Sequence, residues 1–319
     1  MSMHVLGIDI GGTKIAAGVV SSSGELLSFL NQPTPTVHNS EQLYEAIVAL
    51  ANNAIVNAQL TQPIMAVGAG CGGPMLFEKG LFSPFLIPAW RDFPLLARLK
   101  ESFGMRVQVD NDAKAFALGE TLFGAGRGGN CVLGMVVSTG IGGGLVVNGR
   151  LFDGANRNGG HIGHTPVFTK GPRCHCGSRG CLTAYASGTA LAERARRAIR
   201  RGLKSSLSQL PLLEITGARI NEAALRGDTL SLKLIRDTAF ALARGISSAA
   251  VILDLDRVVL GGGLTLMGDL LFEPLIIELE RRTRLSFLEK LEVRRAALGE
   301  KAGVIGAAAL CLQTGVNLD

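Results

Sequence analysis

Four residues able to ligate a soft metal fall close together in the chain: His164, Cys174, Cys176 and Cys181. Cys174 and Cys176 form a Cys-x-Cys pair, Cys181 follows a four-residue turn that holds Gly177 and Gly180, and the imidazole lies ten positions upstream of the first thiol. This is the Cys₃His donor set that a tetrahedral Zn²⁺ prefers. Three thiols leave no even pairing inside the cluster, which favours metal over disulfide. Four protein ligands fill a zinc ion's coordination sphere, so the expected role is structural: a staple that fixes its loop and the neighbours of its ligands, His161 and Thr183.

A second kind of chemistry is written in glycines and carboxylates. Asp9 ends an apolar run and leads into Gly11, Gly12, Thr13 and Lys14. Two backbone N–H groups, a hydroxyl and an ammonium could hold a phosphate there, with Asp9 turned towards a Mg²⁺. An ordinary glycine hairpin would carry the same residues. Walker A spacing is absent. Further glycine turns follow apolar runs at Thr139, Gly140, Gly142 and Gly143, with Ile141 between them, and at Gly261, Gly262 and Gly263. Asp110, Asn111 and Asp112 stand between a strand and an apolar helix, where carboxylates serve either as ligand groups at a strand's carboxyl end or as helix caps. Gly68, Gly70 and Gly73 fit G-x-G-x-x-G, but Pro74 and a hairpin-like segment follow where a dinucleotide site needs a helix.

The elements that must position these groups follow from periodicity. Residues 4–20 read as strand, glycine turn and strand, with a third strand over 25–31. A helix over 40–59 opens at Asn39 and carries Leu43, Ile47, Leu50 and Ala54 on one stripe. Then come a buried strand over 64–69, a hairpin after Pro74, a short helix over 93–103, a strand over 106–109 and a helix over 113–123. Strands over 131–138 and through Val147 flank the second glycine turn. A long helix over 231–254 and a strand over 258–260 precede the third.

Composition bounds the rest. The chain has 319 residues, 47% hydrophobic and 18% charged, which is globular rather than disordered, with a core large enough for two domains. Its net charge of +6 suits anionic substrates, yet no aromatic-interleaved basic motif points to nucleic acid. Arg194, Arg197, Arg201 and Lys204 share a helix face and read as a solvated surface. Cys71, Cys131 and Cys311 sit singly in apolar surroundings, as core thiols do. A strand that begins within four residues of Met1 leaves no room for a signal peptide, and no run reaches about 18 apolar residues. A soluble, cytoplasmic protein with no membrane partner is expected.

Taken in order, Asp9-Ile-Gly-Gly-Thr-Lys14, Asn111-Asp112 with Gly119-Glu120, Ser138-Thr-Gly-Ile-Gly-Gly-Gly144, Gly163-His164, Cys174-His-Cys-Gly-Ser-Arg-Gly-Cys181 and Gly261-Gly-Gly263 resemble the ROK family (repressors, open reading frames, sugar kinases) over essentially the whole chain. The resemblance implies an α/β, two-lobed actin-like ATPase fold, ribonuclease H-like in each lobe, with a zinc-binding loop. The first lobe would be 1–112 plus 301–319, the second 113–300 with the zinc loop over 161–181. It implies a kinase that moves the γ-phosphate of ATP, with Mg²⁺, to the 6-hydroxyl of a hexose or N-acylhexosamine. Asp112 would be the general base, and Gly73, Asn111, His161 and Thr183 would join it in holding the sugar. Asp9, Gly11 to Lys14, residues 139–143 and Gly261 to Gly263 would serve Mg²⁺ and the nucleotide. A homo-oligomer, dimer or tetramer, is expected by the same analogy.

Most family members carry glutamates where this chain has His161 and Thr183. The Gly160-His161-Ile162-Gly163-His164 form resembles that of N-acetylmannosamine kinases, which sets N-acetylmannosamine as the expected sugar and glucose as the alternative. A sugar-responsive repressor would need a DNA-binding segment ahead of Asp9, and none is expected. A silent sugar-binding protein would have no chemical need of Asp112 and three glycine turns.

Overall fold

The computed structural model describes residues 3–36 and 39–313. By its internal contacts the chain divides into two compact units: the first comprises Met1–Gly134, Gly144–Gly160 and Ala296–Asp319, the second Met135–Gly143 and His161–Arg295.

Along the chain, β1 (His4–Ile10), β2 (Lys14–Ser21) and β3 (Leu30–Pro33) are followed by α1 (Ser40–Asn57), β4 (Ile64–Cys71), a hairpin of β5 (Met75–Leu76) and β6 (Leu81–Phe82), α2 (Leu95–Phe103), β7 (Arg106–Asn111) and α3 (Asp112–Phe123). The sheet order is β3-β2-β1-β4-β7, an antiparallel meander to which β4 and β7 add in parallel. Alternate side chains of β1 enter different cores. Leu6, Ile8 and Ile10 pack with Leu43 and Ile47 of α1 and Leu95 and Leu99 of α2. Val5 joins Ala66 and residues Val304, Ile305 and Ala308 of the last helix on the other face. Both faces are covered, so the strands read as continuous apolar runs rather than as an alternation. Gly7 and Gly68, paired in register, face that last helix. A Cβ on either would overlap a carbonyl oxygen, Val304's or Ala307's, so bare backbone is what lets the helix lie so close.

The third strand starts later than the expected 25–31. Residues 22–27 are consumed in a tight return in which Ser21 N–H donates to Glu25 O and Leu27 N–H to Val19 O.

Further on come β8 (Cys131–Val137), β9 (Ile141–Val147), β10 (Arg150–Leu151), α4 (Leu182–Ala186), α5 (Gly188–Arg200), α6 (Gly217–Leu225), α7 (Thr229–Leu253), β11 (Arg257–Gly261), α8 (Asp269–Arg282), β12 (Glu292–Arg295) and α9 (Ala302–Leu312). Their sheet has the order β10-β9-β8-β11-β12, the same third-second-first-fourth-fifth order as the first. The doubled ribonuclease H-like core of the actin-like ATPases is therefore present.

The expected division after residue 112 falls inside the first unit. The reason is α9: Gly119 of α3 backs onto Gly306, and the wholly buried Glu120 accepts from the N–H groups of Ala297 (3.1 Å) and Leu298 (2.9 Å) as well as Ala125 (2.9 Å). The C-terminal share of that unit starts at Ala296 rather than 301; positions 1, 2 and 314–319 of the expected first lobe lie outside the described residues.

Helix α5 keeps only part of the expected solvated face. Arg197 and Arg200 reach Glu193 at the surface, but Arg194 turns inward. Its Nη2 donates to Leu234 O (2.7 Å) and Thr238 Oγ1 (2.9 Å), and its guanidinium lies 4.3 Å from the Tyr185 ring centre. Tyr185 packs on Phe168, over which Arg244 sits at 4.6 Å. Two aromatic rings between two cations offered Arg194 a better place than water. Among the described residues no helix is long and apolar enough to cross a membrane.

Candidate functional site

In the first unit the carboxyl ends of β1, β4 and β7 bring the expected residues side by side. Asp9 pairs in register with Gly70, and Gly70 with Asp110; one step further, Ile10 pairs with Cys71 and Cys71 with Asn111. Gly11 to Thr13 form the turn from β1 to β2, with Gly11 N–H bonded to Lys14 O (3.0 Å). Asn111 caps α3, its Oδ1 accepting from Ala113 N–H (3.0 Å), and Asp112 Oδ1 accepts from the same N–H (2.8 Å). The other Asp112 oxygen lies towards Gly72, and Asn111 Nδ2 towards Gly73. The capping alternative read from the sequence holds for Asn111, and both Asn111 and Asp112 stand at a strand end. Burial first, then the charge of Asp112, pushes Asp9 up to about 7 against the pull of Lys14. Such a carboxylate gains its ionised form from a cation, which is what an Mg²⁺ ligand requires.

Sequence reasoning missed the group that fixes this junction. Lys114, wholly buried, donates to Asp110 Oδ2 (2.8 Å), Asp153 Oδ1 (2.8 Å) and Arg157 O (3.1 Å). Burial raises Asp110 and Lys114 opposes it; at Asp153 burial is outweighed by Lys114 and Arg157, which hold it below the usual carboxylate range. Arg157 grips Asp153 through Nε (3.2 Å) and Nη2 (2.9 Å) and lies 3.6 Å over the Phe77 ring. The one available signal was the Asp-Lys pair at i and i+4 across a strand-helix boundary.

In the second unit a pocket of about 590 Å³ is lined by Ser138 and Thr139, Gly188 and Thr189, Thr216 to Ala218 and Asn221 of the α6 region, and Gly263, Leu264, Leu266 and Met267. It is sized for a small ligand such as a nucleoside and mostly apolar in its walls. Two of the three predicted glycine turns meet there. Ser138 N–H closes the first on Gly140 O (2.8 Å), while Gly262, at φ 92°, sits against Val137 O where any side chain would clash. Thr183, expected on a sugar, has its Oγ1 accepting from Ile141 N–H (3.0 Å). His161 stands just before the short turn Ile162–His164 and is exposed. The contribution of α6, and of Asn221 with its buried and unpartnered Oδ1, carried no motif and was not foreseen.

His164, Cys174, Cys176 and Cys181 also meet in the second unit, with their ligand atoms all within 4.8 Å of one another. Cys174 Sγ lies 3.6 Å from His164 Nδ1, and Cys176 Sγ 3.7 Å from Cys181 Sγ. Zn–S bonds of about 2.3 Å give tetrahedral edges of roughly 3.8 Å, close to these two separations, so the donor set could gather round a zinc ion with small shifts. Burial, then the neighbouring thiols, push Cys181 up to about 12, a state that a bound divalent cation would reverse. His175 stands outside the cluster.

The sequence profile of the ROK family matches residues 5–314. The chain belongs to the ROK family. Among its ROK relatives, the glucokinase of Thermotoga maritima is 36% identical over 318 residues, covering 97% of each chain. The crystal structure of a ROK family glucokinase from Streptomyces griseus, in complex with glucose and AMPPNP, matches with a TM-score of 0.80 at 34% identity, over 97% of this chain and 99% of that one. The N-acetylmannosamine kinase of Shigella flexneri is 33% identical over 267 residues, 83% of this chain and 84% of that protein. The family match and these structural relatives agree with the actin-like ATPase fold expected from the sequence.

Proposed function

We propose that this ROK protein is an ATP- and Mg²⁺-dependent glucokinase, moving the γ-phosphate to the 6-hydroxyl of glucose. The observation that carries the reading is the β7–α3 junction, where Asp112 offers one carboxylate at a helix N-terminus beside Asn111. Phosphoryl transfer asks little covalent chemistry of a protein: it needs alignment, neutralised charge and one acceptor for the nucleophile's proton. Asp112 takes the proton of the 6-hydroxyl. Asn111 and the bare backbone at Gly73 hold the sugar beside it. Asp9 orders the Mg²⁺, and Gly11, Gly12, Thr13 and Lys14 supply donors and positive charge for phosphate. The second unit's pocket takes the nucleoside, with Gly140, Gly142 and Gly143 towards its phosphates and the turn Gly261 to Gly263 beside it, Gly263 forming part of one wall. The Cys₃His cluster holds a structural Zn²⁺.

The sugar is a correction. N-acetylmannosamine was read from the Gly160–His164 form, with His161 and Thr183 standing where most family members carry glutamates. Thr183 is turned to Ile141 instead, so it says little about room at a sugar. The glucokinases of Thermotoga maritima and Streptomyces coelicolor are 36% and 35% identical over 97% and 96% of this chain, while the N-acetylmannosamine kinase of Shigella flexneri is 33% identical over 83% of it. Glucose is therefore the better-supported substrate. A coupled ADP-release assay over glucose, mannose, fructose and N-acetylmannosamine tests this. Glucose should give the highest kcat/KM; a tenfold preference for N-acetylmannosamine would reverse the assignment, and no turnover with any sugar would remove the kinase reading.

A further inference from the structure

We propose that Thr183 is a positioning residue for the turn Ser138–Gly143, through which it sets the affinity for the phosphates of the nucleotide. The inference rests on the nucleotide role proposed above for that turn. Three hydrogen bonds tie the turn to the segment just after Cys181. Ile141 N–H donates to Thr183 Oγ1 (3.0 Å), Gly188 N–H to Ser138 O (2.7 Å), and Thr189 Oγ1 to Thr139 O (3.0 Å). Two of these run from the segment into carbonyls of the turn. Only the Thr183 hydroxyl serves as an acceptor, and so only it takes up an N–H of the turn itself.

The geometry behind Thr183 is fixed. Leu182 N–H donates to Thr165 O (2.9 Å), and Ser187 caps α5 by accepting from Ala190 N–H (3.2 Å), so α4 is held at both ends. Gly188 comes close enough to Ser138 that a Cβ would stand 3.1 Å from the Ser138 oxygen. Ile141 is buried, and its N–H finds in Thr183 a partner that water is poorly placed to replace. The side chain's length matters. Oγ1 sits one bond from Cβ and stops at the turn, about 3.7 Å from where a Cβ on Gly140 would be. A glutamate's oxygens would be carried two bonds further, past the N–H. Threonine here thus pins the peptide units whose N–H groups are offered to phosphate.

Thr183→Val keeps the shape and removes the acceptor; Thr183→Ser keeps the acceptor. In Thr183→Val the KM for ATP and the calorimetric Kd for MgADP should each rise roughly tenfold, about 1.4 kcal/mol, while the KM for glucose changes less than twofold. Thr183→Ser should restore both nucleotide values. A rise in the glucose KM with an unchanged MgADP Kd would overturn the proposal and return Thr183 to the sugar. So would a serine variant as impaired as the valine one, or a valine variant with normal MgADP binding. Should Thr183→Val fail to fold, Thr183→Ala is measured in the same way. MgADP binding that weakens in the variant of an enzyme that phosphorylates no sugar would sustain this inference while removing the glucokinase reading.

Discussion

Lys114→Met should destabilise the first unit by about 3 kcal/mol. Breaking a buried ion pair by removing one partner typically costs about 3–5 kcal/mol, because the surviving charge is left without compensation. Lys114 holds two carboxylates of unequal exposure: the Asp110 side chain is 6% exposed and that of Asp153 is 33%. Asp153 can rehydrate and keeps Arg157, so most of the loss falls on Asp110, which argues for the low end of that range. Asp110 is already raised by burial, and without Lys114 it rises further. A folded pKa above the unfolded value means that protonation favours the folded state, so the deficit should be small near pH 4 and grow as pH rises. Trp90, the chain's one tryptophan, is wholly buried in the first unit's core and stacked on Phe93, so its fluorescence follows that unit alone. Urea denaturation read at Trp90, at pH 4.5 and 7.5, measures the effect. Removing both partners, Asp110→Asn with Lys114→Met, should cost less than Lys114→Met by itself. A loss under about 1 kcal/mol at pH 7.5, or a double variant worse than the single one, would refute the reasoning.

Other outcomes are expected. Asp112→Asn, which keeps the cap on Ala113 but cannot take a proton, should lower kcat by roughly 10²-fold or more with glucose binding retained; near-normal turnover removes Asp112 as the base. Metal analysis should find about one zinc per chain, and Cys176→Ser, at an exposed ligand, should lose both the zinc and several degrees of thermal stability. Zinc-free protein of unchanged stability would contradict that. Asp9, at about 7 when folded against 3.8 in the open chain, should make ligand-free stability fall as pH rises from about 4 to 7, by at most about 1.4 kcal/mol per unit. Asp9→Asn should flatten that slope at Trp90, and an unchanged slope would exclude Asp9 as its source.

Much of the fold was legible because covered strands and glycine turns leave local marks. The apolar runs around Gly7, Gly68 and Leu133 and the turns at Gly11 and Gly140 needed no knowledge of distant partners. The clustering of His164, Cys174, Cys176 and Cys181 was legible for the same reason, the four being gathered within one loop. What escaped were residues whose meaning comes from elsewhere in the chain. Lys114 depends on Asp153, Arg194 on Tyr185, and Thr183 on Ile141, and no spacing rule connects these pairs. The division between the units was misplaced because α3 belongs with α9, a helix nearly two hundred residues away whose pull cannot be read from α3's own sequence.

The close seat of α9 against Gly7 and Gly68 also sets an order of events during synthesis. Strand β1 leaves the ribosome nearly three hundred residues ahead of the helix that covers one face of its sheet. Residues 161–295, the bulk of the second unit, are made in between and hold their own core. The second unit can therefore close while the first still has one bare apolar face, and that face stays open to chaperones or to sticking until α9 arrives. A chain halted before Ala302 would carry a folded second-unit pocket and an unfinished β7–α3 junction.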